Sequence, residues 1–162
     1  YDALMASKPT LRDWGAGDWP RDDFTLEENR DDLQEHWDEF ESDEAYAYTV
    51  LNHDETRCEG CLYINPQYDL LEKYGVLDNI EQSISKHDAL VRFWIREERL
   101  ADEAQVLDII SSWLKSEWEF PRIYFVTNNI NDRQAKLFDT AGMQSQFDWS
   151  HNDVRWLHFM MT

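Results

Sequence analysis

The sequence predicts an α/β fold: a mixed, mainly antiparallel sheet built round a central parallel strand-helix-strand unit. Three observations carry this. Leu90-Val91-Arg92-Phe93-Trp94-Ile95 is short, β-branched and aromatic, the composition of a buried strand. From Leu100 the apolar spacing changes to three or four, through Ala104, Leu107, Ile110, Leu114 and Trp118, with Val106, Ile109 and Trp113 widening the face. That is the period of an amphipathic helix. Arg122-Ile123-Tyr124-Phe125-Val126-Thr127 then returns to a strand pattern, so the helix reads as a right-handed crossover between two parallel strands.

The other elements follow in order. Residues 1–14 carry Leu4, Met5 and Leu11 and read as helix broken by Pro9, ahead of a turn-rich loop from Trp14 to Pro20. Thr25 and Glu28 form a capping-box pattern. The helix it opens places Leu26, Leu33, Trp37 and Phe40 on one face, with Asp31, Asp32, Glu35, Asp38 and Glu39 on a face expected to be solvated. Strands are expected at 45–51 and 57–65, joined by the hairpin turn Asn52-His53-Asp54-Glu55. Residues 67–88 show no single period and read as an inserted loop with one or two helical turns, serving as lid, binding loop or interface. Beyond the second parallel strand, Asn128 to Asp132 supplies a cap for a helix carrying Ala135, Leu137, Phe138 and Ala141, ended by Gly142. Residues 143–149 read as extended, and 154–161, apolar on both faces, as a closing strand in the middle of the sheet.

Composition narrows the function classes. The chain is long enough to bury one core, and a single domain over 1–162 is expected. It begins at Tyr1 without a Met, which reads as a fragment. Asp plus Glu number 34 against 15 Lys plus Arg, a formal charge of -19. That field repels phosphate backbones and anionic lipid, so no nucleic acid and no membrane partner is expected, and cationic partners are favoured. Cys58 and Cys61 stand alone as one CxxC, so the expectation is free, half-buried thiols in a cytoplasmic protein and no metal site.

Phe93-Trp94-Ile95-Arg96-Glu97-Glu98-Arg99 leading into the long helix, followed by Asn131-Asp132-Arg133-Gln134-Ala135-Lys136-Leu137-Phe138 and Ala141-Gly142-Met143, resembles the GNAT superfamily of N-acetyltransferases. The likeness is greatest to the branch that acetylates ribosomal-protein N-termini and antibiotics. It covers nearly the whole chain, with the first family strand missing before residue 1.

The resemblance implies acetyl transfer from acetyl-CoA to a primary amine, on a small molecule or a basic peptide, with a homodimer as an open assembly state. It implies a cofactor site at Trp94, Ile95, Arg96, Arg99, Leu100, Ala101, Asp102, Glu103, Ala104, Asn131 and Phe138. Asp88 and Glu59 are the carboxylates placed to act as general base, although surface solvation is the commoner role for each. The sequence departs from the family at three places. Asp102 stands where the phosphate-cradling turn has its first glycine, Glu103 follows it, and Phe138 replaces the family's proton-donating tyrosine. Asp102-x-x-Gln105 is also a helix N-cap pattern, so its carboxylate is expected to bond the N–H groups a phosphate would use. The rival reading is therefore a binding or regulatory module of the same fold that has lost acyl-CoA.

Overall fold

A computed structural model describes residues 1–161. Its strands form one six-stranded sheet in the order β1-β2-β3-β4-β6-β5, where β1 is Tyr46–Leu51, β2 Cys58–Pro66, β3 Ala89–Ile95, β4 Ile123–Asn128, β5 Gln144–His151 and β6 Val154–Met160. All neighbours are antiparallel except β3 and β4, which run parallel. Helix α5 (Glu103–Glu117) is the crossover between them. The sheet is therefore mixed and mainly antiparallel, with β6 inside it, as the double-sided apolar pattern required.

The alternation of β3 divides its side chains between two faces. Val91, Phe93 and Ile95 face α5 and α6 (Asp132–Thr140), where they pack with Phe125, Phe138, Phe159, Leu107, Ile110 and Leu114. Leu90, Arg92 and Trp94 face the other way. There Trp94 meets α1 (Asp2–Ala6) and α2 (Lys8–Gly15) through Leu4 and Leu11. The break between these two helices falls at Ser7, and Pro9 sits inside the first turn of α2, where a missing N–H costs nothing.

Helix α3 (Leu26–Glu41) opens with the expected reciprocal cap: Glu28 N–H donates to Thr25 Oγ1 at 3.1 Å, and Thr25 N–H to Glu28 Oε2 at 2.7 Å. Its side chains are not distributed as expected. Leu26, Leu33 and Trp37 are 59%, 57% and 59% exposed. The helix bears on β1 through Phe40, which meets Tyr46 and Tyr48 edge-on, and on β2 through His36, whose ring lies 5.4 Å from that of Tyr63.

The inserted segment holds more structure than its lack of period suggests. Helix α4 (Gln67–Lys73) and a 3-10 turn at Leu77–Asn79 lie on the same side of the sheet as α1 and α2. Leu71 is fully buried and Tyr74 packs tilted on Trp149 and edge-on to His151, so this segment is part of the packing of β5. Gln67 bonds His158 on the central strand β6 at 3.1 Å. Trp149 Nε1–H donates to the other ring nitrogen at 2.9 Å, so a neutral ring carries its proton on Nδ1, and the Gln67 amide, whose Nε2 is placed against that atom, must turn over to offer its oxygen.

One glycine is required by close approach. Cys58 pairs with Leu51 and Gly60 with Val50, which leaves Glu59 as the extra residue of a bulge. A Cβ on Gly60 would lie 2.0 Å from the carbonyl oxygen of Trp94, a backbone atom that cannot yield. The bulge brings Cys58 and Cys61 onto one face, where strict alternation would have separated them.

Candidate active site

Strands β3 and β4 pair only at Ala89–Ile123, Leu90–Tyr124 and Val91–Phe125, then diverge. The gap at their C-terminal ends is held from both faces. On one, Gln134 of α6 donates through Nε2 to the carbonyl of Phe93 at 3.0 Å. On the other, Asn128 Nδ2 donates to the carbonyls of Asp13 and Trp14 at 2.9 and 3.0 Å, tying the end of α2 across the opening. By strand alternation the N–H and C=O of Ile95 face the same gap.

The segment leaving β3 is not an open turn. Glu97–Asp102 forms a 3-10 helix that runs straight into α5, and the N–H of Glu103 donates to Leu100 C=O. Asp102 makes no side-chain cap, contrary to expectation; its carboxylate takes Arg99 Nε at 2.6 Å instead. The 3-10 turn already supplies a backbone acceptor at the helix start, so the side chain is free to pair. Leu100 packs on the core, while Ala101 and Ala104 are exposed. Glu103 is buried and ion-paired with Arg133 of α6. Arg57 pairs with Glu98. Arg96 reaches Asp2 at 2.7 Å and Glu59 at 3.9 Å, and its Nε donates to Cys58 C=O. Arg57, Arg96, Arg99 and Arg133 each face a carboxylate from the chain itself. Asn131 caps α6, and Phe138 sits in the core against Phe93, Phe125 and Phe159.

The opposite face holds a cavity of about 830 Å³ between the sheet and α3. Its walls are aromatic: Trp14, Trp19, Trp37, Phe40, Tyr63 and Trp94. Asp32, Glu35, His36 and Glu39 of α3 reach it, so part of the face expected to be solvated lines a pocket instead. Burial pushes the Asp32 carboxyl above the usual carboxylate range. Cys58 and Cys61 lie in the sheet wall. A hydrogen bond from the Cys61 thiol brings Cys58 down to about 6, while the same bond and burial push Cys61 up. Arg92 also lines the cavity, its guanidinium 3.8 Å from the Trp14 ring.

Both carboxylates singled out in the sequence are buried rather than solvated. Asp88 is 1% exposed and precedes β3, at the end away from the gap, where Arg122 and the Ser85 N–H hold its carboxylate. Glu59 lies at the gap end but is ringed by Arg57, Arg96 and Arg99 at 3.8 to 3.9 Å. The cavity residues Trp14, Tyr63 and His36 carried no sequence signal, because they come together only when the N-terminal helices and α3 fold over β2 and β3.

No protein-family model matches this sequence, and no curated protein does. Solved structures do. A ribosomal-protein-S5-alanine acetyltransferase from Vibrio fischeri superposes with a TM-score of 0.64 at 14% identity, over 99% of this chain and 87% of that one. A ribosomal L7/L12 α-N-protein acetyltransferase in complex with coenzyme A gives 0.66 at 12% identity, over 99% and 85%. The chain has the GNAT fold. A spermidine N-acetyltransferase chimera from Vibrio cholerae and hSSAT shares that fold at 0.56 and 11% identity, over 84% and 82%.

In the GNAT fold the splay of β3 from β4 and the turn after β3 are where coenzyme A is expected. The N–H and C=O of Ile95 point toward the gap where a thioester arm would lie, although the residue itself is only 2% exposed. The start of α5 does not fit a diphosphate. The 3-10 helix ties up backbone N–H groups, Glu103 brings a buried carboxylate to the helix start, and the neighbouring arginines are already neutralised. An anion there would have to draw Arg133 from Glu103 and leave that buried carboxylate unpaired, at a cost on the order of a few kcal/mol.

Proposed function

We propose that this protein is an N-acyltransferase of the GNAT fold, moving an acyl group from a thioester such as acetyl-CoA to a primary amine held in the aromatic cavity. One observation carries the reading: the splayed half of β3 contributes Arg92 and Trp94 to the wall of that cavity, so acceptor pocket and strand gap are two sides of one strand. Asp32, Glu35 and Glu39 draw in a cation, helped by a net charge of -19. The indole and phenol walls then strip water from it, which lowers the ammonium pKa toward the neutral, attacking form. Cys58 is the group in the wall assigned to receive the proton, since it is a thiolate near neutral pH. Glu59 holds the turn after β3 through its guanidinium neighbours, and Asp88 holds Arg122.

A specific observation favours a second reading, an amine-binding module that no longer takes acyl-CoA: the buried Glu103–Arg133 pair at the start of α5. Calorimetric titration with acetyl-CoA at low and high salt, on the natural chain and on Glu103→Gln, separates the two. Binding to the natural chain, or binding restored by Glu103→Gln together with acetyl transfer to an amine, supports the transferase. Absence of binding to both proteins at both salts favours the module.

A further inference from the structure

Arg92 is the exception among the arginines that border the sheet. Arg57, Arg96, Arg99, Arg122 and Arg133 each meet a carboxylate, while Arg92, in a chain with 34 acidic residues, meets none among the described residues. Its Nη2 donates to the carbonyl of Trp14, and its cation rests over the rings of Trp14 and Trp156 at 3.8 and 4.9 Å. Nε is buried with no hydrogen-bond partner. Burial draws the guanidinium down to about 10, which still leaves it charged at neutral pH. The titratable groups around it supply no counter-charge: Tyr63 is pushed up by burial, and His158 is pushed down to about 3 by burial and by Arg92.

A half-buried cation with no carboxylate beside it, on the wall of a cavity, is an unfilled half of an ion pair. We propose that Arg92 is an anion subsite of the acceptor cavity, and that the ligand is an α-amino carboxylate. Its carboxylate meets Arg92, its α-amine lies by Trp94 and Cys58, and a cationic side chain points toward the acids of α3. A planar monoanion suits the guanidinium edge, whereas a phosphate would bring a second charge toward Asp32, Glu35 and Glu39. This rests on the reading of the cavity as an amine site and adds the acid half of the ligand.

The test is calorimetry with three matched probes: L-lysine, L-lysinamide and cadaverine, which keep the side-chain amine and differ at the carboxylate. L-lysine should bind about tenfold or more tightly than either of the others. Arg92→Met should bring lysine down to the level of lysinamide, cadaverine binding no more weakly than before because a neighbouring cation is gone, and Arg92→Lys should keep part of the preference. Equal binding of lysine and cadaverine would overturn the subsite while leaving the amine cavity standing. No binding by any probe would overturn both, independently of the acetyl-CoA titration. Where Arg92→Met does not fold, the order of the three probes on the natural chain and on Arg92→Lys decides.

Discussion

The two faces of the sheet solve the same problem in opposite ways. Toward α5 and α6, Phe93, Phe125, Phe138 and Phe159 interlock, and the buried Glu103 is matched by Arg133. Toward α1, α2 and α3, the same strands border a cavity, α3 leaves Leu33 and Trp37 in solvent, and Arg92 is half-buried without a carboxylate. The difference teaches where stability and function are separated in this chain. A filled face with matched charges has nothing left to offer a ligand. An unfilled face with acids on one wall and a bare guanidinium on the other has unmet interactions that a ligand can complete.

The comparison is broken most forcefully on the filled face. Phe125→Ala should cost about 3–5 kcal/mol in chemical denaturation, because a fully buried ring between Phe138 and the strands leaves a cavity that cannot collapse. A loss below about 1 kcal/mol would mean that this face is not the tight one. Next is the buried pair at the opposite end of β3. Arg122→Met should destabilise by up to about 3 kcal/mol, since Asp88 would keep its burial and lose its partner. An unchanged midpoint would show that the Ser85 N–H alone satisfies it.

A third prediction uses pH. His158 is held at about 3 in the fold, against about 6.5 in an unfolded chain, chiefly because it is buried. The unfolded state therefore binds the extra proton. The stability His158 contributes is full above about 6.5 and falls as pH drops toward 3, by up to about 1.4 kcal/mol per unit. Denaturation curves from pH 7 to 4 should display that slope, and His158→Gln should flatten it. The smallest expected effect sharpens the contrast on the open face. Trp37→Ala should shift stability by no more than about 0.5 kcal/mol, because the ring is already exposed. The same change should weaken amine binding measured by calorimetry. A large stability loss would make α3 part of the core rather than the cavity's outer wall.

Much of the fold was legible because it depends on near neighbours in sequence. The apolar run of β3, the period of α5, the capping box at Thr25 and the doubly apolar β6 each rest on spacing within one element, and they appear where the spacing puts them. The site was legible only in part. The turn after β3 could be marked, but Asp102 was read as a cap because Asp-x-x-Gln is a local pattern; a 3-10 turn and Arg99 outcompete it. Asp88 and Glu59 stand in the sequence as candidate bases whose commoner role would be surface solvation, and each is buried against arginines distant in sequence.

What the sequence by itself determined was the order and type of the elements, the parallel crossover and the acidic field, all set by periodicity and composition. Only the tertiary structure decided which charges are matched and which surfaces are left open. The bulge at Glu59 placed both thiols on one face, α3 stopped short of filling the space above β2 and β3, and Arg92 came to rest between two indoles with no acid beside it. The physical reason is that a charge or a void is satisfied by whatever is near it in space, and those neighbours lie tens of residues away along the chain.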